Sequence, residues 1–434
     1  MGYPKLPNLS GLGGQIHLYS QLKHEYGAKG IAPILRNAER ALKEALSALK
    51  RLPNDKSLRR QEPDSLEAIR RLRPNGPRRM WQHFDAKEYA RRVEGALLGR
   101  MAGCTLGAAV EGWAIQGMKD WAKQVGDPFP PVHYWSGVPN PYHKRYGVSP
   151  CSAYTRGGMD GVPVDDDIAY TLLGLLILED FGPDFTIEDV GKAWLKYLPY
   201  ACTAEDIALK NLKKKVPARK AGEKDNPFCQ WIGADIRSDP WGYLAPAWPE
   251  RAAEFAWRDA YISHRRNGIY GEMFFSAAIS AAFAVSDPME AIEIGLTEIP
   301  RNCATAKAVR WALRQAPRIR DYQAARNAVD EHFAGMHHVH TINNACLTIW
   351  GLSIGGRDFT KVISQTVAMG LDNDCTAATA GSIAGAIVGP EGIPRHWTSR
   401  FHNKVHSYLI GHKLFRIDNL LKRFVRQARR VYGE

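Results

Sequence analysis

The chain has 434 residues, of which 45% are hydrophobic and 24% charged, a composition that can bury one large core or two smaller ones and excludes a globally disordered protein. The formal net charge of +13 is concentrated near the N-terminus, because residues 1–80 hold 16 Lys and Arg against 7 Asp and Glu and so carry +9 of it. No run of about 18 apolar residues is available to span a bilayer.

The compartment can be predicted from the first residues and from the cysteines. The opening residues lack the apolar core of a secretory signal, so we expect no signal peptide. The seven cysteines are odd in number, scattered and without C-x-x-C spacing, which indicates neither a disulfide framework nor a zinc site. We therefore predict a cytoplasmic protein with reduced thiols and no membrane partner.

Residues 1–80 are predicted to form a basic helical extension. Apolar residues at helical spacing predict one helix over 31–52 and a short second helix over 65–72. The basic run 70–79 is predicted to be a linker, which could contact phosphate in a nucleic acid or a nucleotide. Because no nucleic-acid motif accompanies the charge, a solvated helical cap is the favoured interpretation, and nucleic acid is a possible but not a favoured partner.

Residues 82–434 are predicted to form one compact all-α domain. Apolar residues repeat there with helical rather than alternating period. The predicted helices cover 89–106, 167–181, 187–197, 249–263, 271–284, 288–299, 305–316, 322–333, 342–352, 359–368 and 376–388. Pro and Trp concentrate in 127–163 and 225–248, which we predict to be long loops that serve as lids or binding walls.

Two of the predicted helices have a glycine at every fourth position. The glycines are Gly95, Gly99, Gly103 and Gly107 in one helix, and Gly381, Gly385 and Gly389 in the other. Each glycine costs about 1 kcal/mol of helix stability relative to alanine. That cost makes sense if the bare face lets another backbone come close. We predict that each helix makes a close crossing with a neighbour, and the two helices are candidates to cross each other.

Two acidic runs, 165–167 and 372–374, lie at the starts of predicted helices about 200 residues apart. A helix start needs only one Asp as a cap, with another in the first turn to complement the helix dipole. Capping alone explains either run taken singly, but the two runs together indicate a bound cation. Oxygen ligands suit Mg²⁺, Mn²⁺ or Ca²⁺ rather than zinc. The second run lacks the Gly and Glu of a calcium EF-hand loop.

Four segments, in order, resemble the ADP-ribosylglycohydrolases, including the dinitrogenase-reductase-activating glycohydrolases. The stretch 94–111 resembles the opening helix of that family and ends at Glu111, where the family has a functional Glu. Residues 165–168 resemble its Thr-Asp-Asp-Thr motif, and residues 370–375 resemble its Gly-Gly-Asp-x-Asp-Thr motif. Residues 266–273 resemble the Gly-Asn-Gly-x-x-Met stretch that shapes its substrate pocket. The resemblance spans about residues 90–390.

This resemblance implies an orthogonal all-α fold and a metal-dependent hydrolase that cleaves a ribosyl glycosidic bond in ADP-ribosyl conjugates. Two Mg²⁺ or Mn²⁺ ions would hold the ribose hydroxyls and activate a water. The implied catalytic residues are Glu111 and Asp374, although Glu111 could instead cap the loop before Trp113. The implied metal ligands are Asp165, Asp166, Asp167, Asp372, Asp374 and Thr376. The implied substrate-binding residues are Asn267, Gly268, Tyr270 and Gly271.

The chain departs from the family at four motif positions. Cys104 stands where the family has Asp, and Asp165, Ile168 and Cys375 stand where it has Thr. Neither Ile168 nor Cys375 suits a hard ion, and Thr376 is the nearest hydroxyl that could replace the missing one. Two alternative functions therefore stay open. One is a glycosidase for another ribosyl or nucleoside-like small molecule, and the other is a non-catalytic descendant that binds metal or ADP-ribose.

Several other polar and aromatic residues have a structural interpretation beside a functional one. His264 and Arg265 could bind phosphate or ribose, but histidines more often satisfy local hydrogen bonds. Tyr134 and Trp135 could stack on a base or simply pack their loop. The histidines at 332, 337, 338 and 340 fit no zinc motif, and a structural loop explains them.

Overall fold

A computed structural model describes residues 3–434 and confirms the predicted all-α class. These residues form twenty α-helices and two antiparallel hairpins of two short strands each. The chain divides into two compact units, one that ends at Arg60 and one that covers Gln61–Glu434. The predicted domain boundary at residues 80–82 stays a prediction. Every helix within residues 3–434 is too short or too polar to span a bilayer.

The elements are numbered in chain order. The helices are α1 (Leu9–Glu25), α2 (Ile31–Arg51), α3 (Lys56–Gln61), α4 (Leu66–Leu72), α5 (Ala86–Ala108), α6 (Ile115–Val125), α7 (Asp166–Phe181), α8 (Ile187–Tyr197), α9 (Thr203–Lys213), α10 (Ala218–Ala221), α11 (Ser238–Leu244), α12 (Pro249–Ala260), α13 (Asn267–Ala281), α14 (Pro288–Gly295), α15 (Ala304–Gln315), α16 (Tyr322–His332), α17 (Thr341–Gly355), α18 (Phe359–Ala368), α19 (Asn373–Val388) and α20 (Ile417–Tyr432). The strands are β1 (Lys144–Arg145), β2 (Ser149–Pro150), β3 (Lys404–His406) and β4 (Leu414–Arg416), and β1 pairs with β2 and β3 with β4.

The first unit consists of exposed helices, of which α2 is amphipathic. The predicted helix over 31–52 is present as α2, which begins after Gly30 in a left-handed conformation and ends before Pro53. Helix α1 was not predicted, because three glycines at positions 11, 13 and 14 interrupt its apolar pattern. Neither helix contains a buried residue.

The basic run 70–79 belongs to the second unit and is bound to acidic side chains there. Arg73 contacts Glu250 and Glu298 at 2.5 Å each, and Arg78 contacts Glu298 at 2.6 Å. Glu298 is fully buried, so the two arginines that pair with it are partly buried ion-pair partners rather than free surface charges. These two arginines are therefore already paired, which weakens the interpretation of the run as a phosphate-binding linker.

The core of the second unit is built around helices that are buried on nearly all sides. All residues of α13 and α19 are buried, as is α7 from Asp167 to Leu178. Such helices are apolar all round because neighbouring helices enclose them. Helix α13 packs against α11, α12 and α14, while α19 packs against α5, α17 and α18.

The two glycine-bearing helices, α5 and α19, cross each other at backbone contact, as the spacing predicted. A Cβ atom on Gly95 would meet the carbonyl oxygen of Gly385 at 2.2 Å, and one on Gly99 would meet that of Gly381 at 2.1 Å. A Cβ on Gly103 would lie 2.0 Å from the carbonyl oxygen of Ala377. No side chain fits at these positions, so the glycines set the distance between the two helices.

The loop predictions are confirmed in part. Residues 127–163 are mostly irregular, apart from the β1–β2 hairpin and a 3-10 turn at Cys151–Tyr154. The stretch 225–248 was predicted as a loop throughout, which is wrong for α11. Pro240 is the third residue of that helix, where the missing N–H costs no intrahelical hydrogen bond.

Replacing Gly103 with leucine should destabilise the protein by about 1–3 kcal/mol, because the side chain would force α5 and α19 apart. The free energy of unfolding from urea titration measures this change. A matched control is Gly117→Ala in α6, where the nearest atom to a new Cβ is 3.9 Å away. That variant should be neutral or more stable, because alanine favours a helix over glycine. Equal stability of Gly103→Leu and wild type would contradict the prediction.

Candidate functional site

The two acidic runs meet at one place in the structure. Asp165 caps α7 by accepting a hydrogen bond from the backbone N–H of Asp167, while Asp372 precedes α19 without making a side-chain cap. Ligand atoms of Asp372, Asp374 and Glu111 lie within 4.8 Å of one another. Two further groups of this kind are Cys104 with Asp165 and Asp167, and Asp167 with Asp374 and Cys375. We call these residues, together with Asp166 and Thr376, the acidic cluster.

The glycine contact of α5 and α19 accounts for this meeting. A Cβ on Gly107, in the last turn of α5, would meet the Cα of Asp374 at 2.5 Å. The backbone N–H of Gly112 donates to the carbonyl of Leu371 at 3.1 Å, which holds the turn containing Glu111 next to Asp372. The end of α5 and the start of α19 are thereby fixed against each other.

Asp167 is the most enclosed carboxylate of the acidic cluster. Its Oδ1 accepts from Arg100 at 3.2 Å, and its Oδ2 lies 3.1 Å from the thiol of Cys375. Arg100 is itself fully buried and also pairs with Asp239 at 2.5 Å. The buried guanidinium of Arg100 therefore compensates part of the negative charge of the acidic cluster.

Burial and mutual repulsion raise the pKa of several of these carboxyl groups. Burial raises the pKa of Asp372 to about 6, and the neighbouring charge of Glu111 adds to the shift. Burial, Glu111 and Asp372 raise the pKa of Asp374 well above its usual value. For Asp166 the causes of a raised pKa are burial and the charge of Asp165. These carboxyl groups can all be ionised together only if a cation compensates them.

The donor atoms present fit a hard divalent ion. Asp372 Oδ1, Asp374 Oδ1 and Thr376 Oγ1 are buried and have no hydrogen-bond partner. Buried polar atoms are nearly always paired, so three unpaired oxygens at one helix start are the donor set expected of a cation site. A cation with oxygen ligands would satisfy all three, and Thr376 would then supply the hydroxyl that Cys375 lacks.

Two neighbouring residues that sequence reasoning missed also contact the acidic cluster. Arg145 donates to Glu111 at 2.7 Å, to Asp165 at 3.0 Å and to Asp374 at 3.2 Å. The hydroxyl of Tyr146 donates to Asp166 at 2.6 Å. Both residues belong to the β1–β2 hairpin region within a loop of the sequence, where no periodic pattern points to partners 20 to 229 residues away.

A cavity of about 290 Å³ opens beside the acidic cluster. Glu111, Asp166, Asp372 and Asp374 line one part of it. The remaining wall includes Glu205 and the aromatic side chains Tyr146, Tyr170 and Trp231. An acidic floor with aromatic walls can hold a polar ring compound against bound cations.

The four residues predicted to bind substrate do not line this cavity. Asn267 donates to Glu62 and Gln230 at 2.9 Å each, and the Tyr270 hydroxyl donates to the carbonyl of Pro63. Backbone or side-chain atoms of other helices and loops lie against Gly268 and Gly271, which leaves no room for a ligand there. The geometry gives the substrate-binding role of these four residues no support, and that role stays a prediction.

The other residues with two interpretations are engaged in structural contacts. His264 is buried and shares a hydrogen bond with Ser263 at 2.8 Å. Trp135 donates to the carbonyl of Leu106 at 3.2 Å, and Tyr134 donates to that of Trp397 at 2.7 Å. His340 caps α17, and the ring of His337 stacks on Trp231 with centroids 4.0 Å apart.

Comparisons with known proteins agree with this architecture. The sequence model of the family described as ADP-ribosylglycohydrolase matches residues 85–430. A solved structure described as an ADP-ribosylglycohydrolase-related protein complex is similar over 80% of this chain and 99% of its own, with a TM-score of 0.52 and 21% identical residues. At that identity, the similarity supports the fold alone. Comparison with curated proteins finds no match.

Mg²⁺ or Mn²⁺ should bind to chelator-treated protein, because unpaired buried oxygens and crowded carboxylates favour a divalent cation. Isothermal titration calorimetry measures the affinity and the number of ions. The double variant Asp166→Ala, Asp374→Ala should lose this binding. Asp206→Ala is the control, since Asp206 also lies in a first helical turn but pairs with Lys210 at 2.5 Å. Unchanged binding in the double variant would show that the ions bind elsewhere.

Proposed function

The chain belongs to the ADP-ribosylglycohydrolase family, and from that membership we propose that it hydrolyses a ribosyl glycosidic bond in ADP-ribosyl conjugates with the help of two Mg²⁺ or Mn²⁺ ions. The observation that carries the proposal is the meeting of two acidic helix starts around unpaired buried oxygens. The family is a hydrolase family.

The proposed ion ligands come from both helix starts. Asp165, Asp166 and Asp167 would contribute from the α7 side, and Asp372, Asp374 and Thr376 would contribute from the α19 side. When bound, the ions would supply orientation of the ribose hydroxyls and a water of lowered pKa. The thiol of Cys375 remains a hydrogen-bond donor to Asp167 rather than a ligand for a hard ion.

Glu111 is proposed to move a proton during the reaction. Its side chain is 42% exposed, whereas those of Asp165 and Asp374 are nearly completely buried. Among these carboxyl groups it is therefore the one that exchanges protons readily with solvent. Its place beside Asp372 and Asp374 puts it at the edge of the cavity, where a leaving group or an attacking water would pass.

The shape and charge of the cavity favour a second candidate, a glycosidase for small ribosyl compounds such as nucleosides. A volume of about 290 Å³ is small for a ligand pocket. Among the residues that line the cavity, Arg145 is the one Lys or Arg. Its guanidinium already donates to the carboxylates of Glu111 and Asp165. A ribosyl compound without phosphate suits these walls better than one that carries a diphosphate.

Asp374→Asn should lower the turnover number by orders of magnitude with little loss of fold. The change keeps the side-chain size and removes one ligand charge from a crowded cluster, so the thermal midpoint should stay equal or rise. The assay follows release of free ADP-ribose from ADP-ribosylated arginine, serine and nucleic acid, and of base from ribonucleosides, with and without Mg²⁺. Activity on nucleosides alone would select the second candidate. Silence on every substrate despite bound metal would reject both.

Glu111→Gln should slow turnover while leaving Mg²⁺ affinity largely unchanged. Glutamine keeps the shape of the side chain but cannot take up or release the proton. Rate measurements across pH should show that one limb of the wild-type pH profile is lost. If Mg²⁺ affinity fell in proportion to the rate, Glu111 would be a metal ligand instead of an acid-base group.

A further inference from the structure

Arg145 joins three carboxylates that come from three separate parts of the chain. One terminal nitrogen of its guanidinium, Nη1, donates to Glu111 and to the carbonyl of Ala108 at the end of α5. The other, Nη2, is shared between Asp165 Oδ2 at 3.0 Å and Asp374 Oδ2 at 3.2 Å. This nitrogen therefore bridges the starts of α7 and α19, the two places from which the proposed ion ligands come.

Arg145 forms ion pairs through both terminal nitrogens of its guanidinium, but its third nitrogen has no hydrogen-bond partner. Its Nε is buried without a hydrogen-bond partner, and its side chain is 15% exposed to solvent. A buried donor without an acceptor is unfavourable, which reduces the cost of moving the side chain out. Arg145 can therefore leave this position when something else compensates Asp165 and Asp374.

The hairpin that carries Arg145 is also poorly supported by its own backbone. Strands β1 and β2 have two residues each. Tyr146 and Gly147, which follow β1, both have positive φ, at 51° and 69°. A tyrosine in that region is strained, and such strain persists only where surrounding contacts impose it. Side-chain contacts, rather than the short strands, hold the hairpin in place: those with the acidic cluster, and those of the Tyr146 ring with Tyr200 and Tyr408.

The ion pair of Arg145 and Glu111 separates two cavities. The first is the cavity of about 290 Å³ beside the acidic cluster, and the second, of about 240 Å³, is lined by Trp113, Asn140 and His143 among others. Glu111 and Arg145 are the two residues that line both. Either cavity alone falls below the roughly 300–1,000 Å³ usual for ligand sites, whereas a joined cleft would fall within it.

From these contacts we infer that Arg145 is a positioning residue that competes with a divalent ion for Asp165 and Asp374, so that ion binding frees the β1–β2 hairpin and joins the two cavities. The inference rests on the proposed metal site. Two cations that share the same carboxylate oxygens repel each other at short range, so one must weaken the other. By linkage, the ion weakens the Arg145 contacts as much as Arg145 weakens ion binding.

This competition also separates two classes of substrate. With Arg145 on the acidic cluster, the first cavity takes only a compound of nucleoside size. With the hairpin released, the cleft takes a longer conjugate that has groups on both sides of Glu111. Conjugates that need the whole cleft thus require the ion-bound form.

Calorimetric titration of the full chain with Mg²⁺ tests the competition directly. Arg145→Gln should bind Mg²⁺ about ten-fold more tightly than wild type, a coupling of ordinary size. Arg145→Lys keeps the positive charge and should stay close to wild type. Lys144→Gln is the matched control, because it removes a charge from the exposed neighbouring residue and should change nothing. Equal or weaker binding by Arg145→Gln than by wild type would overturn the inference.

Hydrogen exchange of wild-type protein gives a second test that does not depend on a variant. The amide of Cys151, which donates to the carbonyl of His143 at 2.7 Å, should exchange faster in saturating Mg²⁺. Unchanged or slower exchange with Mg²⁺ bound would refute the release of the hairpin.

In the calorimetric titrations, Mg²⁺ binding that is equal in all variants would reject this inference alone. The absence of Mg²⁺ binding in every variant would reject the proposed metal site with it.

Discussion

The contact between α5 and α19 is the constraint on which the candidate site depends. Glycines on α5 let backbone carbonyls of α19 approach where any side chain would collide. The same contact continues to Gly107, beside Asp374, and therefore fixes Glu111 relative to Asp372. The glycines lower the helix propensity of both helices. In return, carboxylates that are distant in sequence can lie within a few ångströms of one another.

Electrostatic interactions within the acidic cluster destabilise the folded protein. Buried carboxylates at two helix starts repel one another, and only part of their charge is balanced by Arg100 beneath them and Arg145 above them. A protein does not gain stability from such an arrangement, because desolvation of each charge costs more than a single partner returns. The negative charge that remains uncompensated would attract a divalent cation. The unfavourable electrostatics are therefore consistent with the proposed metal-dependent chemistry.

Periodic features of the sequence were predicted well, including those that bring two distant helices together, whereas contacts made by single loop residues were not. Helical periodicity identified α5, α7, α8 and α12 to α19, and glycine spacing anticipated the crossing of α5 and α19. Helix α20 has apolar residues at 417, 420, 424 and 428 and could have been found in the same way. Arg145 and Tyr146 gave no comparable signal, because their importance arises only from residues that folding brings to them. The contacts of Asn267 and Tyr270 with Glu62 and Pro63 gave no signal for the same reason, since these partners lie about 200 residues earlier.

The pairing of α5 with α19 also dictates when the site can exist during synthesis. About 270 residues separate Gly103 from Ala377, so α5 leaves the ribosome with its glycine-lined face uncovered. At roughly 5–20 residues per second, α19 follows on the order of tens of seconds later. Contacts of such long sequence separation form slowly, and exposed apolar helices can associate wrongly in the meantime. The acidic cluster is thus completed only when nearly the whole chain has been made, and a nascent chain that stops before α19 has one half of the cluster and no partner for it.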